Sequence, residues 1–254
     1  MRVNEIFYSL QGEGFLAGVP SVFVRLAGCP LRCKWCDTKY AWDQRAGQDY
    51  TIAEIVQTVL RKESLGQQWP CKFVVITGGE PMINSDLPKL VQQLKAADKH
   101  ITIETAGIAF MPDLACDLMS ISPKLSNSAP TAEDRSQKTE NRSLAPTPVV
   151  GAGDTEVRRQ KFLRLDIAVL RELIDSYDYQ LKFVVDSEAD LPEIQQTLEK
   201  LGNVDTEKVM LMPQAKTRDE LLLKSPMVAE MCKHSGFAFS QRLQVLLWNN
   251  QKGR

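Results

Sequence analysis

Three cysteines fall within eight residues, Cys29, Cys33 and Cys36, in the order C-x3-C-x2-C, and Asp37 and Thr38 follow at once. A structural site for one zinc ion uses four ligands, and a cubane iron–sulfur cluster also takes four thiolates as a rule. Three close thiolates without an obvious fourth suit a cluster with one iron left open. That iron is a Lewis-acid corner on which a small molecule can chelate. Half of a zinc site completed from elsewhere, or plain loop thiols, are the alternatives. Neither His100 nor His234 sits beside a second cysteine in a ligand-like motif. Cys71, Cys116 and Cys232 stand alone and read as core residues, since free cysteine is commonly buried.

A second set of candidates closes the apolar runs. TGGEP (77–81) follows KFVVI, and glycines there let backbone carbonyls approach a ligand closely. A plain strand-to-helix turn is the other reading. ETAG (104–107), SPK (122–124) and MPQA (212–215) also lie at the ends of expected strands. In parallel α/β barrels that rim is where ligands bind. Polar groups on several strand ends of one rim suit a polar ligand. Glu104 suits hydroxyl donors, and Ser122 and Lys124 suit other contacts. A solvated turn acid and a solvated lysine are the alternatives.

The elements that must position these residues alternate. SVFVRLAG, KFVVITGG, HITIETAG, DLMSISPK, YQLKFVVD and KVMLMPQ read as strands. TIAEIVQTVLRK is a helix with an apolar stripe and a capping-box pair, Thr51 and Glu54. SDLPKLVQQLKAAD, LDIAVLRELIDSY and LPEIQQTLEKLG are helices too. TRDELLLKSPMVAEMC opens on a second capping-box pair, Thr217 and Glu220, with Pro226 as a possible break. FAFSQRLQVLLWN is expected to give a last strand or two. Strand–helix alternation argues a mainly parallel sheet with crossover helices. About six units fit, so the α/β class narrows to a partial (β/α)6-type barrel or a doubly wound sheet. Residues 127–160, rich in Ser, Thr, Pro and charge, are expected to be a mobile polar insertion within one domain.

Bulk composition excludes other classes. The formal net charge of -1 argues against a bulk nucleic-acid binder. No run approaches a membrane span, and the start lacks the apolar run of a secretory signal. The expectation is a cytoplasmic protein, in which cysteines serve as metal ligands or core residues rather than disulfides.

C-x3-C-x2-C with an aromatic residue, Trp35, before its last cysteine resembles the signature of the radical S-adenosylmethionine (SAM) enzymes. There the amino and carboxylate groups of SAM bind the open iron of a [4Fe-4S] cluster. One electron then releases a 5′-deoxyadenosyl radical, and a GGE segment holds the SAM amino group. The opening YSLQGEGFLAGVPSVFVRLAGCPLRCKWCDT is similar to that of the 7-carboxy-7-deazaguanine synthases. The likeness runs on through TGGEP, ETAG, SPK and the final RLQVLLWN, with only 127–160 outside it.

That resemblance implies a Mg2+-dependent lyase acting on 6-carboxy-5,6,7,8-tetrahydropterin. The pterin loses hydrogen from C6, rearranges, regains hydrogen and expels ammonia. It places Leu10, Gln11 and Gly12 on the substrate with Glu13 beside them, Arg25 on the substrate carboxylate, and Thr77 on the pterin. Trp35, Cys36, Asp37 and Gly79 would border SAM, as would the rim residues Glu104, Ser122, Pro123, Lys124, Met212, Pro213 and Gln214. Thr38 corresponds to the protein ligand of Mg2+. No side chain is needed as an acid–base catalyst, which suits a chain with two histidines. A homodimer and a flavodoxin- or ferredoxin-type electron donor are further expectations of the resemblance. Gln244 stands where some relatives place histidine. Rival readings are an activating enzyme of the glycyl-radical type, acting on a protein partner, and a zinc-stabilised module without catalysis.

Overall fold

Valine, isoleucine and leucine at alternate positions give each strand one face for the helices to cover. A computed structural model describes residues 1–60, 69, 71–130, 164–249 and 251–253. Its strands are β1 (Arg2–Leu10), β2 (Pro20–Leu26), β3 (Gln48–Asp49), β4 (Phe73–Gly78), β5 (His100–Thr105), β6 (Leu118–Ile121), β7 (Tyr179–Val185), β8 (Val209–Pro213) and β9 (Ala238–Phe239). They form one sheet in the order β3-β1-β2-β4-β5-β6-β7-β8-β9. From β2 through β4 to β9 every neighbouring pair is parallel. Only β1 against β2, and β3 against β1, run antiparallel. The mainly parallel α/β sheet is therefore present, with β3 and β9 as its edge strands among the described residues, as in a partial barrel.

The described helices are α1 (Ile52–Val59), α2 (Leu87–Ala96), α3 (Ile167–Ser176), α4 (Leu191–Leu201), α5 (Arg218–Ser235) and α6 (Leu243–Trp248). Both capping boxes form. Thr51 and Glu54 close the start of α1, and Thr217 and Glu220 that of α5. Alternate residues such as Val24, Ile76, Ile103, Met119, Phe183 and Leu211 meet Leu87, Leu90, Leu170, Ile194 and Val228 of the helices in one core. Each such side chain contributes about 1.5–3 kcal/mol of transfer free energy when buried. A one-residue register slip would reverse the faces and forfeit that, so the polar residues between them are held on the opposite face. One register row there runs Arg25–Thr77 and Glu104–Ser120–Gln180.

The structure differs from expectation at three places. Residues 2–10, to which the sequence reading assigned no element, form β1. Helix α5 runs unbroken through Pro226, whose lost bond would have gone to the carbonyl of the exposed Leu222. Within FAFSQRLQVLLWN only Ala238–Phe239 is strand, and Leu243–Trp248 is helical. A short apolar run does not distinguish the two by periodicity. Here Val245 packs with Ala215 and Leu221, away from the sheet core. Arg218 holds the carbonyls of Leu246 and Leu247 at 2.6 and 3.0 Å, as cations do at helix C-termini. Of the expected insertion, residues 127–130 belong to the rim of the sheet, where Asn127 Nδ2 donates to the Val184 carbonyl at 3.0 Å. Residues 131–160 lie outside the described residues. No described helix is long and apolar enough to cross a membrane.

Candidate active site

The polar face of the sheet holds two adjoining cavities, of about 200 and 170 Å³. They share a wall made of Glu13, Asp37, Thr38, Thr77, Gly78 and Glu104. The first is also lined by Leu10, Gln11, Gly12, Arg25 and Gln244. The second is lined by Cys29, Cys33, Cys36, Trp35, Gly79, Ser122, Lys124 and Met212. Leu10, Gln11, Gly12 and Arg25 thus lie on one side of the wall and Trp35, Cys36, Gly79, Ser122, Lys124 and Met212 on the other, while Glu13, Asp37, Thr77 and Glu104 are part of it. Pro123, Pro213 and Gln214 line neither cavity, and Gln214 Oε1 accepts from Lys224 Nζ at 2.8 Å.

The cysteine loop hangs on backbone bonds at its stem. Gly28 N–H donates to Ala41, and Cys29 N–H to Trp42. The TGGEP turn grips the same stem, Gly79 N–H to Leu26 and Glu80 N–H to Gly28, at 2.9 and 2.8 Å. A Cβ on Gly79 would lie 1.9 Å from the Gly28 oxygen. The glycine is needed for the approach of two backbones, whatever ligand lies beyond. Gly79→Ala is expected to push the loop aside and cut the iron taken up on anaerobic reconstitution severalfold. Iron and sulfide analysis checks this; wild-type loading would show that the stem yields.

Glu80, 2% exposed, pins this turn to the end of β5. Its carboxylate accepts from Met82 N–H, the Thr105 hydroxyl and Ala106 N–H at 3.1, 2.7 and 2.8 Å. Burial pushes the Cys29 thiol up to about 12, and the Glu80 charge adds to this. Burial, with Asp37 beside it, raises Cys36 as well. Such thiols give up their protons to a metal centre rather than to water. No three His, Cys, Asp or Glu side chains among the described residues converge as ligands of a single ion would. A cubane makes a different demand, because each thiolate takes its own iron.

The shared wall is a buried charge network that the sequence reading only half found. Lys182 Nζ, on a strand buried throughout, lies 3.0 Å from Glu13 Oε2 and 3.8 Å from Glu104 Oε1. Arg242 reaches Glu13 at 3.2 Å and Asp37 at 2.6 Å. Gln11 Nε2 and the Thr77 hydroxyl both donate to Glu104, at 3.1 and 2.8 Å. Burial raises the Glu13 pKa, but Lys182 and Arg242 more than offset this and hold it at about 2. Lys182 carried a signal in the sequence, a lone cation in the mainly apolar YQLKFVV. Arg242 had none, being ordinary in a polar stretch.

The QGEG loop bridges the polar face to the last elements. Leu243 N–H donates to the Gly12 carbonyl at 2.9 Å, and Gly14 N–H to the Ser240 hydroxyl at 3.0 Å. Phe15 N–H donates to Gln180 Oε1 at 2.8 Å. Gly14 needs its glycine for a φ of 74°. Across the first cavity Arg25 Nε donates to Glu5 at 2.7 Å, and Tyr40 OH to the same oxygen at 2.8 Å. The terminal amino groups of Arg25 make no hydrogen bond among the described residues. Trp35 Nε1 and Gln244 Oε1 are buried at the cavities without hydrogen-bond partners among the described residues. Orphaned polar atoms of this kind fit a site that takes a polar ligand.

Residues 24–142 match the model of the radical SAM superfamily. The 7-carboxy-7-deazaguanine synthase of Halobacterium salinarum is 39% identical, over 98% of this chain and 91% of that one. The chain belongs to the 7-carboxy-7-deazaguanine synthase family. The synthase of Rhodopirellula baltica is 37% identical, over 100% of this chain and 88% of that one. Among solved structures, QueE from Escherichia coli superimposes with a TM-score of 0.61 at 24% identity, covering 94% of this chain and 92% of that one, and so shares the fold. Membership of this radical SAM family brings a [4Fe-4S] cluster and SAM as cofactors. The donor set suits them: three thiolates beside a cavity lined by a glycine turn and rim polar groups.

Proposed function

We propose that this synthase-family chain converts 6-carboxy-5,6,7,8-tetrahydropterin to 7-carboxy-7-deazaguanine and ammonia. One observation carries the reading: the cavity holding the free end of Arg25 shares a wall with the cavity holding the three cysteines. Bound there, cluster and SAM supply hydrogen-atom abstraction. The chain supplies placement and shelter from water. Arg25 offers a planar pair of donors to the substrate carboxylate, with its Nε end fixed by Glu5. Leu10, Gln11, Gly12 and Thr77 frame the pterin. Lys182 and Arg242 keep Glu13 ionised, and Arg242 holds Asp37 in place. Cys29, Cys33 and Cys36 hold the cluster. Trp35, Gly79, Glu104, Ser122 and Lys124 border SAM.

Thr38 is assigned to Mg2+. Its hydroxyl makes no cap bond to the turn it precedes and lies 3.6 Å from the Cys36 sulfur. One hard oxygen suffices if water and the substrate's own oxygens complete the shell, as Mg2+ commonly allows. A flavodoxin- or ferredoxin-type donor, a homodimer, a single-domain organisation and a cytoplasmic setting complete the proposal.

Anaerobic reconstitution, followed by dithionite, SAM, Mg2+ and the pterin, tests the reading by mass spectrometry. The deazaguanine product is expected from wild type and absent from Cys33→Ala. SAM cleavage without product would overturn the substrate. Bound zinc without SAM cleavage would overturn the enzyme.

A further inference from the structure

Arg164 is a buried cation beside the cysteines with no role above. It is 5% exposed. Its Nη1 donates to Cys33 Sγ at 3.3 Å and to the Ser128 hydroxyl at 2.8 Å. Its Nε and Nη2 are buried with no hydrogen-bond partner among the described residues. Among the described residues no carboxylate pairs with it. Lys182 and Arg242, which line the cavity of the cysteines, are paired with carboxylates. Arg32 donates to the carbonyls of Cys29 and Leu31, and Lys124 to Ser122.

A guanidinium stays charged when buried, and an uncompensated buried charge costs several kcal/mol. The fold therefore keeps a positive charge and two idle donors against one of the three cysteines. Three thiolates on a doubly positive iron–sulfur core leave one net negative charge, and reduction adds another. That is the counter-charge Arg164 lacks.

We propose that Arg164 is the electrostatic partner of the iron–sulfur cluster, hydrogen-bonded through Cys33, and that it raises the cluster's reduction potential. The inference rests on the cluster occupying the Cys29, Cys33 and Cys36 site. The sign follows from charge. A fixed cation stabilises the more negative, reduced form, so the potential rises, and hydrogen bonds to cluster sulfur act the same way. Arg164 touches neither substrate nor SAM in this reading and is a positioning residue. It works by making the electron easier to load from a one-electron donor of flavodoxin or ferredoxin type.

The test is an EPR-monitored redox titration of reconstituted wild type, Arg164→Lys and Arg164→Gln, without SAM. Arg164→Gln is expected to shift the oxidised-to-reduced ratio at fixed potential by at least tenfold toward oxidised. For one electron that is a fall of about 59 mV. Arg164→Lys keeps the charge and is expected to stay near wild type. Ser128→Ala removes the tether but not the charge, so it is expected to lower thermal stability and leave the potential unchanged. Should Arg164→Gln fail to hold a cluster, pulsed EPR on protein carrying guanidino-15N arginine decides. A 15N coupling to the reduced cluster is expected in wild type and absent in Arg164→Lys.

Equal potentials in wild type and Arg164→Gln, or no arginine coupling that Arg164→Lys removes, would overturn the proposal while leaving the cluster site intact. Wild type that binds no iron–sulfur cluster would instead overturn the site reading, and the role of Arg164 with it. Iron and sulfide content tells the two failures apart.

Discussion

Lys182→Met is expected to cost about 3–5 kcal/mol of stability, the usual loss when one partner of a buried ion pair is removed, and to abolish turnover. Lys182 is 3% exposed and stands between Glu13 and Glu104. Methionine fills much of the space but leaves two carboxylates facing each other, with Arg242 as the remaining cation on Glu13. Burial then drives the Glu13 pKa up from about 2, since Lys182 is the largest influence holding it down.

The pH dependence gives the signature. In wild type the folded pKa of Glu13 is depressed. Its stabilisation is present above the ordinary carboxylate value of 4.5 and fades as pH falls from there toward 2. In Lys182→Met the folded value rises, so the acid loss of stability begins at higher pH. Urea unfolding over a pH series measures this. Glu13→Gln in the same background is expected to recover part of the loss, because the uncompensated charge is gone. An unchanged acid limb in Lys182→Met would show that the pair is not coupled.

Arg25→Lys is expected to lower kcat/KM for the carboxylated pterin by about 30-fold or more, which is roughly 2 kcal/mol, the low end for truncating one partner of a buried charge pair. An ammonium keeps the charge but is a point donor. It cannot be held by Glu5 at one edge while offering a planar pair at the other. SAM binding, on the far side of the shared wall, is expected to stay within a few-fold of wild type. A tetrahydropterin lacking the carboxylate provides the control. It should bind wild type and Arg25→Lys equally. A loss as large for the analogue as for the substrate would mean that Arg25 serves the shape of the cavity, through its contact with Phe7, rather than the carboxylate.

Much of this molecule was legible locally. Short apolar runs such as FVVI, closed by glycines, marked buried strands. Thr51 with Glu54, and Thr217 with Glu220, marked helix starts to the residue. The elements missed lacked a local signal. RVNEIFYSL mixes charge with apolar residues in no clean period, and only pairing with β2 makes it a strand. RLQVLLW carries enough leucine for strand or helix. The bonds Arg218 makes to its last carbonyls decide for helix.

The sequence by itself determined the chemistry. Through the resemblance they carry, the cysteine spacing, the TGGEP glycines and the QGEG opening point to the cofactor class and the family, because those demands fall on residues close together in the chain. Tertiary structure alone decided the electrostatics. Lys182 meets Glu13, Arg242 meets Asp37 and Arg164 meets Cys33 across 169, 205 and 131 residues. No local pattern encodes such pairs. They exist because a parallel sheet brings distant strand ends onto one rim, where burial makes every unpaired charge costly.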